Sequence, residues 1–347
     1  MAKERIISGT ATDEQEETLN LSLRPQRLLE YVGQRSLVEK LSITLEAARR
    51  RGEAMEHVLL HGPPGLGKTT LAHIIANEMG THLTVTSGPA LTKGSDLVGT
   101  LTKLQPHDIL FIDEIHRLPI AVEEYVYSAM EDFKIDFVVD SGMHAKTITL
   151  PIKPFTLIGA TTRAGLLSRP MRSRFGVTHH LDFYEVEDLV HMLDRSAGLL
   201  NITVDEPPAL DAIAKRSRGT PRIANRLLRR ARDYAQIKCD ERFDAQTVSQ
   251  ALTLEGVDEL GLDDIDRQYM TTIGDVYEGG PVGLEAIAAT LNEDSGTLED
   301  MVEPYLLQLG FLARTRKGRE LTRKGAQHIG LRFPTKDVAA PSEKSLF

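Results

Sequence analysis

A glycine-rich segment, GPPGLGKTT at residues 62–70, carries the residue types that bind a triphosphate. An apolar run at residues 58–60 precedes it, and another apolar stretch begins at Leu71. This order predicts a strand, a turn and a helix, with backbone N–H groups converging on an anion at the helix N-terminus. Lys68 supplies a charge for the β- and γ-phosphates, and the Thr69 hydroxyl supplies a ligand for Mg²⁺. A loop that merely turns the chain is the alternative, and the flanking elements argue against it.

A second motif lies at residues 109–114, where four apolar residues are followed by two acids. The apolar run predicts a strand buried on both faces, as in a parallel sheet. Asp113 and Glu114 then stand at the carboxyl end of the strand, where open α/β sheets bind their ligands. We expect Asp113 to hold Mg²⁺ through its water shell and Glu114 to orient or deprotonate the attacking water. The two motifs together predict an ATPase, and the lack of an Asn-Lys-x-Asp guanine-recognition sequence favours ATP over GTP.

Length and composition indicate an intracellular chain of several domains. Its 347 residues predict two or three domains, and 41% of them are apolar. No apolar segment approaches the roughly 18 residues needed to span a bilayer, and the N-terminus lacks a signal-peptide core. The single cysteine, Cys239, excludes an intramolecular disulfide framework and fits the reducing cytoplasm.

Charge is distributed unevenly along the chain. The formal net charge of −9 argues against a simple nucleic-acid coat. Residues 310–332, however, carry seven arginines and lysines against a single acid, Glu320. A basic patch of this kind is the electrostatic footprint of nucleic-acid binding.

The patterning predicts four regions. Residues 1–20 form a flexible arm, and residues 21–184 form a large ATPase domain in which strands and helices alternate, so that helices cover both faces of a parallel sheet. Residues 185–255 are helical only and form a smaller lid domain. Residues 256–347 form a third domain with a different rhythm. The strands expected in the large domain are residues 57–61, 82–86, 108–113 and 155–161.

The third region has the pattern of a winged helix. Three apolar-periodic helical segments come first, and two short strands then flank the turn at residues 316–318. Winged helices bind nucleic acids and also mediate protein contacts. The arginines on this hairpin favour DNA.

An insertion at residues 134–150 is not needed for the ATPase chemistry. Ile135 and Phe137 alternate with other residues, Ile148 and Leu150 alternate on the return, and a turn is expected at residues 140–142. The segment therefore predicts a β-hairpin with one apolar face. That face either packs on its own domain or marks a partner site, because an exposed apolar strip usually binds something.

Several longer segments resemble the RuvB family of AAA+ ATPases, the bacterial branch-migration motors of Holliday junctions. The resemblance runs from about residue 21 to residue 333, and its motifs are highly specific. The segments that carry it are residues 23–34, 61–80, 109–118 and 156–176, with agreement at 219–236 and 310–322.

The resemblance implies a fold, an assembly and partners. The fold is a P-loop domain with a parallel sheet, an all-helical lid and a C-terminal winged helix. The assembly is a homohexameric ring around double-stranded DNA at Holliday junctions, in the cytoplasm and away from membranes, acting with RuvA and RuvC and using ATP with Mg²⁺. In such proteins the hairpin at 134–150 docks onto RuvA.

The resemblance also implies roles for individual residues. Thr161 stands at the position of the first sensor, Arg174 of the arginine finger, and Arg222 of the second sensor. The wing contacts to DNA carry over to Arg314 and Arg319. Nucleotide contacts carry over to Leu23, Arg24, Gly62, Gly65, Gly67, Lys68, Thr69, Thr70, Tyr184 and Arg222, and less directly to Glu131, Asp132 and Phe133.

The basic residues of the second and third domains do not all support a contact with DNA or nucleotide. Asp294-Ser295-Gly296 carries no base where the family has an arginine, which removes support for a DNA contact at Ser295. We expect four arginines of the lid, at positions 226, 229, 230 and 232, to form a solvated basic face.

Two rival functions remain. A protein unfoldase of the same superfamily needs an aromatic pore loop, and residues 87–104, where that loop belongs, contain no aromatic residue. The other rival is a switch of the origin-recognition or clamp-loader type, in which ATP gates DNA binding. Repeated turnover coupled to displacement of DNA strands separates a motor from a switch.

Overall fold

The computed structural model describes residues 23–138 and 147–331. The predicted N-terminal arm and the hairpin turn at residues 140–142 lie outside these ranges. The chain divides into two compact units, Met1–Ala251 and Leu252–Phe347, and each is described by itself.

A five-stranded parallel sheet forms the centre of the first unit. Its strands in spatial order are β2 (Leu83–Ser87), β3 (Ile109–Asp113), β6 (Thr156–Thr161), β1 (Val58–His61) and β7 (Val177–His180), numbered along the chain. Residues 109–112 of the third strand are all buried, as the uninterrupted apolar run predicted.

The four predicted strands are confirmed, but the sequence prediction missed the fifth. Strand β7 has the sequence Val-Thr-His-His, which has too few apolar residues to signal a strand. It pairs with β1 over its full length, so that His180 lies beside His61.

The helices of the sheet domain cover the sheet. They are α1 (Arg35–Arg51), α2 (Lys68–Met79), α3 (Gly94–Leu101), α4 (Ile120–Asp132) and α5 (Arg169–Arg174). Gly159 of β6 lets the side chains of Ile115 and Phe175 pack closely against the strand, because a Cβ there would lie 2.9 Å from each of them. The sheet and helices share an apolar core, which includes Leu110, Ile112 and Leu157.

An antiparallel pair, β4 (Lys134–Val138) and β5 (Thr147–Pro151), follows α4. It confirms the predicted hairpin as a two-stranded sheet separate from the main one. Ile135 is fully buried in the core of the domain, so it is not available for a partner surface. The packing alternative therefore holds for Ile135.

Four helices follow the sheet, as predicted for the lid. They are α6 (Val186–Leu199), α7 (Pro208–Arg216), α8 (Pro221–Lys238) and α9 (Ala245–Leu254). The prediction of a solvated basic face on α8 is wrong for Arg226 and Arg229, which are 5% and 8% exposed. Both lie on the buried side of a helix whose apolar residues include Leu227 and Leu228. Of the described helices, none combines the length and apolar character needed to cross a membrane.

The second unit contains the predicted helices and hairpin. The helices are α10 (Asp264–Thr271), α11 (Leu284–Leu291), α12 (Ser295–Thr297) and α13 (Glu303–Gln308), with π-helical turns at Thr272–Val276 and Leu298–Val302. The wing is the antiparallel pair β8 (Leu312–Thr315) and β9 (Gly318–Leu321), followed by α14 (Arg323–His328). Tyr269, Ile287, Leu306 and Phe311 belong to its core.

Candidate functional site

The glycine-rich loop leads into α2 through a left-handed residue, Gly67, at φ 102°. Gly62 has φ 141°, and a Cβ there would lie 2.5 Å from the carbonyl oxygen of Leu181. These two positions therefore require glycine. The loop presents its open side to a cavity, with Lys68 at the first turn of the helix.

The side chain of Lys68 is buried and points back across the loop. Its Nζ donates to the carbonyl oxygens of Gly62 and Pro63, each at 2.9 Å. Burial lowers the pKa of Lys68 to about 8, against the opposing charges of Asp113 and Glu114. A buried ammonium that is disfavoured in this way fits a site built to receive an anion.

Asp113 ends β3, Glu114 follows it, and both line the cavity. Asp113 accepts the N–H of Glu114 at 2.9 Å, and Glu114 adopts a left-handed conformation at φ 48°. Burial raises the pKa of Glu114, and the charge of Asp113 adds to the effect. A carboxylate with a raised pKa is a stronger base, as the removal of a proton from water requires.

Thr161, which the family resemblance places at the first sensor, and its neighbour Thr162 have different surroundings in the structure. Thr161 is fully buried, and its hydroxyl lies 2.8 Å from Nδ1 of His116, so it does not line the cavity. Thr162 does line it, and its hydroxyl donates to the Glu114 carboxylate at 3.5 Å. His116 itself lies 3.4 Å from Glu114. The sequence analysis missed Thr162, and Thr161 contacts His116 instead of the cavity.

Two tyrosines close the apolar side of the cavity. The Tyr184 hydroxyl lies 2.8 Å from the Tyr31 hydroxyl and 3.3 Å from the carbonyl oxygen of Leu66 in the phosphate loop. Burial raises the pKa of both tyrosines, so both are neutral. The backbone N–H of Tyr184 donates to the carbonyl of Gly219 at 2.8 Å, which joins this side of the cavity to the segment before α8.

The lid completes the cavity. Arg222 reaches it from the first turn of α8, and Arg195 of α6 donates to the carbonyl of Leu23 at 2.9 Å. Most of the predicted nucleotide contacts are therefore brought together. The lining includes Leu23, Arg24, Gly65, Gly67, Lys68, Thr69, Thr70, Tyr184 and Arg222, and the sequence analysis had missed Glu30, Tyr31, Met192, Arg195 and Asn225.

Arg174 lies away from this cavity, at the end of α5. Its Nη1 donates to the carbonyl of Pro170 at 2.9 Å, its Nη2 to Glu131 at 3.1 Å, and its guanidinium lies 4.4 Å from the centre of the Tyr127 ring. Asp132 and Phe133, which the resemblance assigned less directly to nucleotide binding, also do not line the cavity. Asp132 forms an ion pair with Lys134 at 3.1 Å. Phe133 packs edge-on against Phe155 with ring centres 6.1 Å apart.

The hairpin residues divide into two groups. Ile135 is paired with Leu150, which is half-buried, and Phe137 is paired with Ile148. The side chains of Phe137 and Ile148 are outside the described part of the chain. Their role as a partner surface stays a prediction.

The wing arginines lie directly opposite each other, Arg314 on β8 and Arg319 on β9. Both guanidinium groups donate to the buried carboxylate of Glu303. Asp294 caps α12 by accepting the N–H of Thr297 at 2.9 Å, which is a structural role for the segment that lacks a base.

Family models match consecutive parts of the chain. The model described as the Holliday junction DNA helicase RuvB P-loop domain matches residues 23–181. The RuvB AAA lid domain matches residues 184–258, and the RuvB C-terminal winged helix domain matches residues 259–330.

Solved structures of RuvB from Thermotoga maritima are similar over most of the chain. One, described as a Holliday junction branch migration motor, is 50% identical with a TM-score of 0.82, covering 90% of this chain and 100% of that one. Two single-substitution variants of the same protein are each 51% identical, with TM-scores of 0.83 and 0.84, covering 90% of this chain and 99% of theirs.

Proposed function

Because the chain belongs to the RuvB family of Holliday-junction DNA helicases, we infer that it is an ATP-hydrolysing motor that drives branch migration. The observation that carries this function is the convergence of Lys68, Glu114 and Arg222 on one cavity. A phosphate-binding lysine, a basic carboxylate and an arginine from the lid are the groups that phosphoryl transfer to water requires.

The residues of the cavity have distinct tasks in hydrolysis. Lys68 and the loop N–H groups bind the β- and γ-phosphates of ATP. Glu114 accepts a proton from the attacking water, and Thr162 orients the carboxylate through its hydroxyl. Tyr31 and Tyr184 exclude water from the apolar side.

We propose Thr69 and Asp113 as the residues that hold Mg²⁺. Both line the cavity, and oxygen donors of this kind suit the ion. The bound ion neutralises charge on the phosphates.

We further propose that the protein works as a homohexameric ring in which Arg174 serves the site of the adjacent subunit. Arg174 does not line the cavity of its own subunit, which supports this assignment. RuvA and RuvC are the proposed partners, with RuvA docking on the hairpin of β4 and β5. The proposed domain boundaries follow residues 184 and 255.

Binding of DNA belongs to the winged helix. The family match over residues 259–330 and the pair Arg314 and Arg319 support a contact with the phosphate backbone. Such a contact reads duplex geometry and is independent of base sequence, as a motor that moves along DNA needs.

The deciding experiment uses a synthetic four-way junction. With ATP and RuvA, the protein should convert the junction into duplex products over many turnovers, and Lys68→Ala should not. Binding of the junction with ATP but without repeated product formation would favour the switch over the motor.

A further inference from the structure

A buried carboxylate lies beneath the two arginines of the wing. Glu303, the first residue of α13, is 0% exposed. One carboxylate oxygen accepts from Arg319 Nε at 2.8 Å and from the Tyr269 hydroxyl at 2.5 Å. The other accepts from Arg314 Nε at 2.6 Å and from the Nη2 groups of both arginines.

Glu303 is charged in this environment. Burial alone would raise its pKa, but hydrogen bonds from Arg319, Tyr269 and Arg314 outweigh burial and hold the pKa below its ordinary value. Burial raises the pKa of Tyr269, so that the phenol stays neutral and donates its proton. A buried ion with all its partners in place keeps one geometry, since the loss of any partner is costly.

The backbone fixes the same arrangement from the other side. Arg319 exchanges two backbone hydrogen bonds with Val282, at 2.9 and 2.8 Å. The neighbouring Gly318 has φ 143°, and a Cβ there would lie 2.4 Å from the carbonyl oxygen of Val282. Strand β9 is therefore held against the rest of the unit, and Arg319 has little freedom to move away from Glu303.

Without Glu303, two like charges would face each other across a strand pair and repel. Each guanidinium contacts the carboxylate through Nε and Nη2, and its Nη1 takes no part in those contacts. The Arg314 side chain is 41% exposed. The Arg319 side chain is 19% exposed. The carboxylate thus brings the two cations side by side without using the Nη1 group of either.

We propose that Glu303 is a positioning residue for DNA: it sets Arg314 and Arg319 at the spacing and orientation in which both bind the phosphate backbone. The proposal rests on the proposed contact between wing and DNA. It assigns to an acid, which by charge alone repels DNA, a role that strengthens binding.

A second acid nearby provides a matched control. Glu299 lies 3.8 Å from the Nη2 atoms of both Arg314 and Arg319, but it is 37% exposed, and these distances are longer than those to Glu303. If charge alone mattered, removal of either carboxylate would tighten binding to a polyanion. If position matters, removal of Glu303 weakens binding and removal of Glu299 does not.

The test measures duplex DNA affinity of the full-length protein against salt concentration for Glu303→Gln and Glu299→Gln. We expect Glu303→Gln to weaken binding several-fold and to lower the slope of log affinity against log salt by about 0.9, the value of one phosphate contact. Glu299→Gln should bind at least as tightly as the parent. Binding by Glu303→Gln that equals or exceeds the parent's overturns the proposal.

A second variant keeps the test decisive if Glu303→Gln fails to fold. The double substitution Arg314→Lys with Arg319→Lys retains both charges but lacks the planar fork that the carboxylate holds. Weaker binding supports positioning, and unchanged binding refutes it. The double substitution Arg314→Ala with Arg319→Ala tests the contact between wing and DNA separately from the role of Glu303. Parent-like affinity of this variant would show that the wing does not contact DNA and would refute the proposed interface as well.

Discussion

The guanidinium of Arg174 donates to the carboxylate of Glu131 in the same subunit, at 3.1 Å. The side chains of Arg174 and Glu131 are 21% and 56% exposed, so solvent reaches the carboxylate, and solvent-screened ion pairs contribute only about 0–1 kcal/mol. Within the described chain, Nε of Arg174 is buried without an acceptor. The contact is therefore weak enough to be replaced by a more highly charged acceptor, such as the terminal phosphate in a neighbouring subunit.

Subunit mixing tests whether Arg174 acts on a neighbour. Rings of Arg174→Ala alone should lose about 10³–10⁵ in hydrolysis rate, the range of arginine fingers in well-studied GTPases. Rings of Lys68→Ala alone should be inactive because they do not engage the phosphates. Co-assembled rings should recover measurable ATPase activity, because an Arg174→Ala subunit keeps Lys68 and can receive Arg174 from an adjacent Lys68→Ala subunit. No recovery in verified mixed rings would contradict a shared site.

Lys68 and Glu114 should fail in different ways. Glu114→Gln should keep ATP bound while hydrolysis falls by about 10²–10⁴, because an amide cannot accept the proton of water. Lys68→Ala should weaken both binding and hydrolysis. Nucleotide affinity and single-turnover rates, measured on the same preparations, separate the two effects. A Glu114→Gln protein with the parent's rate would show that Glu114 is not the base.

The adjacent threonines offer a matched pair of isosteric changes. Thr162→Val should lower the hydrolysis rate by about fivefold, the worth of a hydrogen bond of about 1 kcal/mol, with little change in melting temperature. Thr161→Val removes a buried partner of His116 and should destabilise the fold by about 1–3 kcal/mol. Thermal unfolding and steady-state ATPase assays check both. The reverse pattern would return the sensor role to Thr161.

The depressed pKa of Lys68 predicts that nucleotide binding takes up a proton in alkaline solution. Above about pH 8, Lys68 of the nucleotide-free protein is largely neutral. A bound phosphate favours the charged form and raises the pKa, so binding draws a proton and affinity falls as pH rises through this range. Calorimetry at pH 9 in buffers of different ionisation enthalpy should reveal the uptake. At pH 7.2, where Lys68 is already charged, the uptake should nearly vanish.

The hairpin prediction can now be sharpened by a comparison of two isoleucines. Ile135→Asp places a charge in the core and should lower the melting temperature strongly. Ile148→Asp, on the paired strand, should retain the melting temperature of the parent but lose the stimulation of ATPase by RuvA. Equal destabilisation by both changes would mean that the whole strip packs on its own domain. Full stimulation of Ile148→Asp would remove the residue from the partner surface.

The sequence predicted those parts of the site whose signals are contiguous. Lys68 stands within a glycine-rich loop, and Glu114 ends an apolar run, so each carries its own context. Adjacent residues at the end of a strand point to opposite faces. The family resemblance pointed to Thr161, whereas the structure places Thr162 in the cavity lining.

Long-range pairing was beyond the sequence. The sequence analysis assigned the wing arginines to DNA but did not find their acidic partner, Glu303, because it lies on a separate helix more than ten residues away. Arg226 and Arg229 were placed on a solvated face by their charge, whereas the packing of α8 buries them. In each case a tertiary contact decided what local composition could not.

Tyr184 has a mechanical consequence for the motor. Its hydroxyl touches the phosphate loop side of the cavity, and its backbone holds Gly219, two residues before α8 begins. That helix has 18 residues and is therefore about 27 Å long. A tilt of about 10° at its base would swing its far end by about 5 Å, more than the rise of about 3.4 Å between base pairs. Tyr184 thus joins the phosphate loop to the base of α8, so a shift of the loop would be passed to a helix long enough to act as a lever arm.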